Sequence, residues 1–262
     1  MVFFFVGIFA GIAAGMLGVG GGIVTVPAMI FLLPFFGVVP DSAIYIAIAT
    51  SLLLIIPTGI VSAYAHHRYQ SIDWVSVRRL LPGLIFGSII GVYCVSIIDA
   101  TFLKGLFASF LVVVAIRMLL KQENDSIQKV VEDKQIGFSW SFLLPGVSIG
   151  WVSAMMGVGG GTMTVPYLVR RGIDIKKAIG SSAFCGIPIA VVASFAFVFV
   201  QMKTNNMPTI SLIYWPAFVG IVLGALSFAP VGAWLSRSLN RNILRLSFSG
   251  LLLLVAARLL FH

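Results

Sequence analysis

Charge is what this chain has least of: only 10% of its 262 residues are charged, against about a quarter in soluble domains. Eight residues are acidic, and four of those fall between positions 121 and 137. The other four, Asp41, Asp73, Asp99 and Asp174, stand at the edges of apolar stretches, so no carboxylate lies deep inside one. A carrier of cations or protons ordinarily keeps an acid near mid-membrane, so this absence points to an anionic cargo. Two cysteines, Cys94 and Cys185, both sit in apolar runs and make no disulfide framework. The sequence has no His-Glu-x-x-His, no Gly-x-Ser-x-Gly, no phosphate-binding lysine loop and no paired intramembrane carboxylates. Hydrolase, metalloprotease and ATP-driven chemistry are therefore not expected, and neither are a catalytic residue, a metal or a cofactor.

What the chain does have is apolar surface. Hydrophobic residues make up 60% of it and mean hydropathy is +1.09, which excludes a soluble fold, a disordered chain and a coiled coil. Eight apolar stretches run over about 2–36, 42–65, 75–98, 101–120, 138–169, 178–202, 211–235 and 242–261. The net charge of +9 comes from lysines and arginines placed between those stretches. They read as topology signals at a lipid surface, with no nucleic-acid-binding face. Trp74, Trp140, Trp215 and Trp234 fall near stretch ends, as interfacial anchors do.

The polar segment 121–137 divides the chain into two similar halves, and the halves are repeats. Residues 11–27, GIAAGMLGVGGGIVTVP, match residues 150–166, GWVSAMMGVGGGTMTVP, at ten of seventeen positions. Thr50-Ser51 with Pro57 matches Ser181-Ser182 with Pro188, and Gly83, Gly91, Lys104 and Arg117 align with Gly224, Gly232, Arg245 and Arg258. This gives membrane repeat 1 at 1–121, a cytoplasmic linker at 122–137 and membrane repeat 2 at 138–262. The apolar start of the chain belongs to the repeated unit and lacks a basic leader, so it reads as mature structure.

The first stretch of each half is too long for one crossing. A helix over 2–36 would reach about 50 Å, against a hydrocarbon core of about 30 Å. Gly-Val-Gly-Gly-Gly breaks both copies, at 18–22 and 157–161. If these segments cross the membrane, the seventeen basic residues divide nine to eight between its sides; if they turn back as hairpins, fourteen collect on one side. The second arrangement is the one the positive-inside rule selects. Each half is then a broken glycine-loop helical hairpin plus three transmembrane helices. Because three is odd, the second half lies upside down relative to the first. The expected fold class is an all-α polytopic membrane protein built as an inverted-topology repeat, in the cell membrane, with both termini outside.

Thr25-Val26-Pro27 and Thr164-Val165-Pro166 follow the glycine loops, and proline suits the first turn of a helix. Half-helices are therefore expected to start near Thr25 and Thr164, at mid-bilayer. Such starts offer free N–H donors and a partial positive charge, and glycines bring the backbone close to a ligand. An anion is the ligand that suits them. The plainer use of these glycines is tight helix packing. Thr50-Ser51 and Ser181-Ser182 lie inside apolar spans, six residues ahead of a proline; they either face the ligand or bond back to their own helix. Cys185 stands beside the second pair, as a thiol for a sulfur cargo or as a small buried hydrophobe. His66-His67 reads as part of an interfacial loop.

The doubled glycine block with Thr-Val-Pro, together with the Thr-Ser and Ser-Ser pairs, resembles the sulfite exporter TauE/SafE family over nearly the whole chain. The resemblance implies a carrier of small sulfur-containing anions such as sulfite and organosulfonates, in the export direction. It places Gly18, Gly20, Gly21, Gly22 and Thr25, with Gly157, Gly159, Gly160, Gly161 and Thr164, around the anion. Thr50, Ser51, Ser181, Ser182 and Cys185 complete the candidate substrate-binding set. Alternating access around that site is the leading expectation. An anion channel of the same architecture and a sulfur-handling membrane protein using Cys185 stay open beside it. The expected partners are a small anionic substrate and membrane lipid, with self-association into a homo-oligomer open.

Overall fold

The computed structural model describes residues 1–17, 21–120, 140–203, 213–238 and 241–260. Gly18 and Gly20 of the candidate site and the linker 122–137 lie outside the described residues. Ten α-helices follow in order: α1 Val2–Leu17, α2 Gly22–Leu32, α3 Pro40–Arg68, α4 Trp74–Ile97, α5 Ala100–Leu120, α6 Trp140–Met156, α7 Gly161–Arg170, α8 Ile175–Lys203, α9 Trp215–Ser238 and α10 Arg241–Leu260. No strand occurs among the described residues. Backbone groups in lipid have no water to bond, so helices that satisfy their own hydrogen bonds are the solution open to a chain this apolar. Among the described residues, α3, α4, α5, α8 and α9 are long and apolar enough to cross a membrane.

Each long first stretch is a hairpin of two short helices. At 1.5 Å per residue, α2 and α7 are about 15 Å long, half the depth of a bilayer core. The second hairpin is closed at its open end by Ser141, whose carbonyl accepts hydrogen bonds from Tyr167 Oη and Arg171 Nη2, both at 2.8 Å. The first is closed by the rings of Phe3 and Phe36, whose centroids are 5.0 Å apart. The end of each hairpin thus lies beside its beginning, the geometry that the charge distribution favours.

Both helices begin three residues earlier than the proline pattern suggests. They start at Gly22 and Gly161, so Pro27 and Pro166 sit in the second turn. Glycine is a poor helix former, but here close packing of buried Gly22 against Gly157 and Val158 outweighs a propensity cost of about 1 kcal/mol. Pro57 and Pro188 likewise leave α3 and α8 unbroken.

The packing is reciprocal between the halves. Helix α1 lies along α9, and α4 along α6, in both cases parallel and backbone to backbone. A Cβ on Gly7 would stand 2.5 Å from the Ile221 carbonyl, and one on Gly83 would stand 2.5 Å from that of Leu143. Without a hydrophobic driving force between helices in lipid, such van der Waals contact is what holds them together. The equivalent helices α3 and α8 cross antiparallel: Gly59 meets Ile187 and Ala183, whereas His66, further along α3, and Ser71, just past its end, meet Gly180. Helices α5 and α10, also equivalent, pack on each other. The basic residues Arg79 and Arg171 share one end of the molecule, both stacked on Phe142, while Lys104 pairs with Asp41 at the other end, at 3.9 Å.

Candidate functional site

The start of α2 meets the second glycine loop. A Cβ on Gly22, the first residue of α2, would stand 2.5 Å from the Gly157 carbonyl oxygen and 2.9 Å from Val158 Cα. Only a residue without a side chain fits there, and that contact fixes the N-terminus of α2 against the turn that precedes α7. Gly157 has φ 62°, a left-handed conformation that favours glycine, and its turn closes on α6 through Val158 N–H donating to the Ser153 carbonyl at 3.0 Å. Gly21, the N-cap of α2, is left-handed as well, at φ 77°. Helix α2 runs from this junction toward one end of the molecule and α7 toward the other, so two helix N-termini face the interior together.

The amides at those starts are the available donors. In α2 the N–H groups of Val24 and Thr25 close onto Gly21 O, and in α7 those of Met163 and Thr164 close onto Gly160 O. The amides of Gly22 and Ile23, and of Gly161 and Thr162, precede the first helical bond. Each start carries about half a positive charge. Among the described residues the acids, Asp41, Asp73, Asp99 and Asp174, stand at or just before helix starts, so no described carboxylate neutralises the pair.

Hydroxyls surround this junction. Thr25 Oγ1 lies 2.9 Å from Ser51 Oγ, and Ser51 Oγ donates to the Gly157 carbonyl at 2.7 Å. Ser51 has one proton and spends it on Gly157, so Thr25 is the donor to Ser51. This chain ties α2 and α3 of the first half to the loop of the second. Thr164, the counterpart of Thr25, is fully buried and its hydroxyl has no partner among the described residues. Ser182 donates back to Ile179 O at 2.8 Å, the self-bonded alternative that buried serines in helices often take. Gly159 and Gly160 pack close to Gly186 of α8, and Cys185 beside it is fully buried.

Thr50 and Ser181 serve differently. Thr50 Oγ1 accepts from Tyr214 N–H at 3.1 Å, and Ser181 Oγ accepts from Asp73 N–H at 2.8 Å. Tyr214 and Asp73 are the residues just before α9 and α4. These two hydroxyls are equivalent in the repeats, and each anchors a connecting segment across to the other half. Sequence reasoning had placed them around a ligand, because anchorage between residues 164 or 108 positions apart leaves no local trace. It also missed Ser153, which is 2% exposed with a hydroxyl that has no partner among the described residues. The signal was there in the repeat, where Ala14 occupies the equivalent position.

The sequence model of the sulfite exporter TauE/SafE family matches residues 3–259. The chain belongs to the TauE/SafE family. It is 36% identical over 253 residues to a protein of Haemophilus influenzae named "Probable membrane transporter protein", covering 96% of this chain and 94% of the relative. A Methanocaldococcus jannaschii protein of like name is 29% identical, covering 94% of this chain and 90% of its own length. Bacillus subtilis YunE, also named a probable membrane transporter protein, is 25% identical, covering 98% of this chain and 95% of its own length. No solved structure matches the chain. This TauE/SafE protein is thus an all-helical, multi-pass membrane protein.

Proposed function

We propose that this TauE/SafE protein is a secondary transporter that exports small sulfur-containing anions, sulfite or organosulfonates, across the cell membrane by alternating access. The observation that carries the reading is the meeting of two helix N-termini, with their unspent amides and buried hydroxyls, where no acid among the described residues neutralises them. Such a junction favours an anion and leaves none of the expense of a buried cationic side chain. Binding groups are the amides at Gly21 and Gly22 from the first half and Gly157, Gly159, Gly160, Gly161 and Thr164 from the second, with Thr25 and Ser51 joining the two starts. Thr50 and Ser181 keep the supporting segments in place. Names of the relatives, all membrane transporters, support the class of activity.

The same reading takes the fold as an inverted-topology repeat, of the kind in which a midplane site opens alternately to the two sides. Antiparallel crossing of α3 and α8 supports it, as do the two closed hairpins and the matching contacts of α1 with α9 and α4 with α6. With α10 as the sixth crossing, both termini face outside and the linker lies in the cytoplasm.

The test is uptake into proteoliposomes of sulfite, sulfate, thiosulfate, taurine and sulfoacetate by the parent and by Gly160→Leu. The atoms nearest a Cβ on Gly160 all belong to side chains, led by the movable Ile189 Cδ1 at 2.8 Å, so a larger residue there crowds side chains of the site first. The expected result is selective anion uptake by the parent and a loss of tenfold or more in the variant, since one charge-assisted hydrogen bond already accounts for about 1.5–3 kcal/mol. Equal uptake by both proteins overturns the placement of the site.

A further inference from the structure

The repeats are equivalent in sequence but not in the state of their hydroxyls. In the first half both hydroxyl protons are committed, Thr25 to Ser51 and Ser51 to Gly157 O. In the second, the hydroxyls of fully buried Thr164 and of Ser153, which is 2% exposed, have no hydrogen-bond partner among the described residues. Unpartnered buried hydroxyls are costly, and natural proteins keep few of them. Thr164 Oγ1 stands over the start of α7, 3.3 Å from the position a Cβ would take on Gly160. Ile149 approaches that position to 3.9 Å, and Ser153 lies one turn further along α6, where Val158 N–H closes the loop onto its carbonyl. The sequence is asymmetric in the same sense: Ser153 and Thr162 of the second half replace Ala14 and Ile23 of the first.

We infer that the anion is bound by the second-repeat loop, with Ser153 and Thr164 as its hydroxyl donors beside the amides that open α7, while the first-repeat hydroxyls act as a lock between the halves. The ligand class is a small, fully ionised oxyanion or sulfonate head with at least three acceptor oxygens, because every group offered to it is a donor. Ser153 and Thr164 then favour a charged head, because hydrogen bonds donated to an ionised acceptor are about twice as strong as those to a neutral one. The Thr25–Ser51–Gly157 chain holds the first-repeat start closed against the second loop and has no proton left for the ligand. This assignment rests on the transport reading and identifies which half of that site holds the cargo.

Thermal unfolding and isothermal titration of the purified full chain, with sodium sulfite and sodium sulfate as probes, test it. Thr164→Val keeps the shape and removes the hydroxyl; Thr164→Ser restores one. The ligand-free Thr164→Val protein is expected to melt no lower than the parent, since an unsatisfied hydroxyl is lost, yet to bind the anion ten- to a hundredfold more weakly. Ser153→Ala is expected to weaken binding about tenfold, and Thr164→Ser to recover most of the parent affinity. Thr25→Val lowers affinity a few-fold at most. Thr58→Val, whose hydroxyl is already bonded to Leu54 O, leaves binding unchanged. Equal losses for Thr25→Val and Thr164→Val, or parent-like binding by both Thr164→Val and Ser153→Ala, would overturn the assignment to the second repeat. Failure of the parent to bind either anion would instead overturn the transport reading beneath it.

Discussion

Gly22→Ala is expected to abolish transport while a membrane-inserted protein is still made. The added methyl would lie 2.5 Å from Gly157 O, 2.9 Å from Val158 Cα and 3.3 Å from Ser51 Oγ, and two of those three atoms are backbone. Overpacking of this kind costs about 1–3 kcal/mol when neighbours can shift. Here the shift must separate the starts of α2 and α7, which is the geometry that the anion needs. The unfolding temperature should fall by several degrees and uptake by tenfold or more, measured together on purified protein in liposomes. Gly105→Ala on α5 is the control: nothing lies within 4 Å of the added methyl. That change should leave transport intact and stabilise the helix by up to about 1 kcal/mol.

Opposite labelling of two single cysteines is the second expectation. With Cys94 and Cys185 replaced by serine, Lys104→Cys is expected to react with an impermeant maleimide from outside intact cells. Lys176→Cys is expected to react only after the membrane is opened. Lys104 sits at the start of α5, next to Asp41, and Lys176 at the start of α8, in the first turn. The difference should be all-or-none, because one side carries fourteen of the seventeen basic residues if the hairpins return to their origin. Both cysteines labelling from the same side would remove the inverted arrangement and the alternating-access reading with it.

Much of this architecture was legible because a lipid solvent imposes so few solutions. Every apolar stretch read from the sequence is a helix or a hairpin of two, from Val2–Leu17 to Arg241–Leu260, among the described residues. The tally of seventeen basic residues, Arg170 and Arg171 among them, is what favours hairpins over crossings in the sequence. The closed ends at Ser141 and at Phe3 with Phe36 give that charge argument a physical counterpart. Helix starts were misplaced by one turn because Thr-Val-Pro is a local signal, whereas Gly22 is held by Gly157 and Val158 of the other half. Thr50 and Ser181 looked like Ser51 and Ser182 along the sequence. Which hydroxyl faces a neighbour and which anchors a distant amide depends on the rotation of α3 and α8, and near-uniformly apolar helices give little periodicity from which to read it. Ser153 escaped notice for a related reason: one serine in an apolar helix is ordinary until its lack of a partner is seen.

The account stands on the binding of a negative solute by peptide dipoles and hydroxyls alone. The measurement closest to that claim is the current from proteoliposomes on a solid support after a jump in sulfite concentration at constant sodium. Parent protein is expected to give a transient of inward-moving negative charge that saturates with sulfite, and Gly160→Leu to give none. A current carried by sodium or protons without permeant anion, or one that persists unchanged in Gly160→Leu, would contradict it.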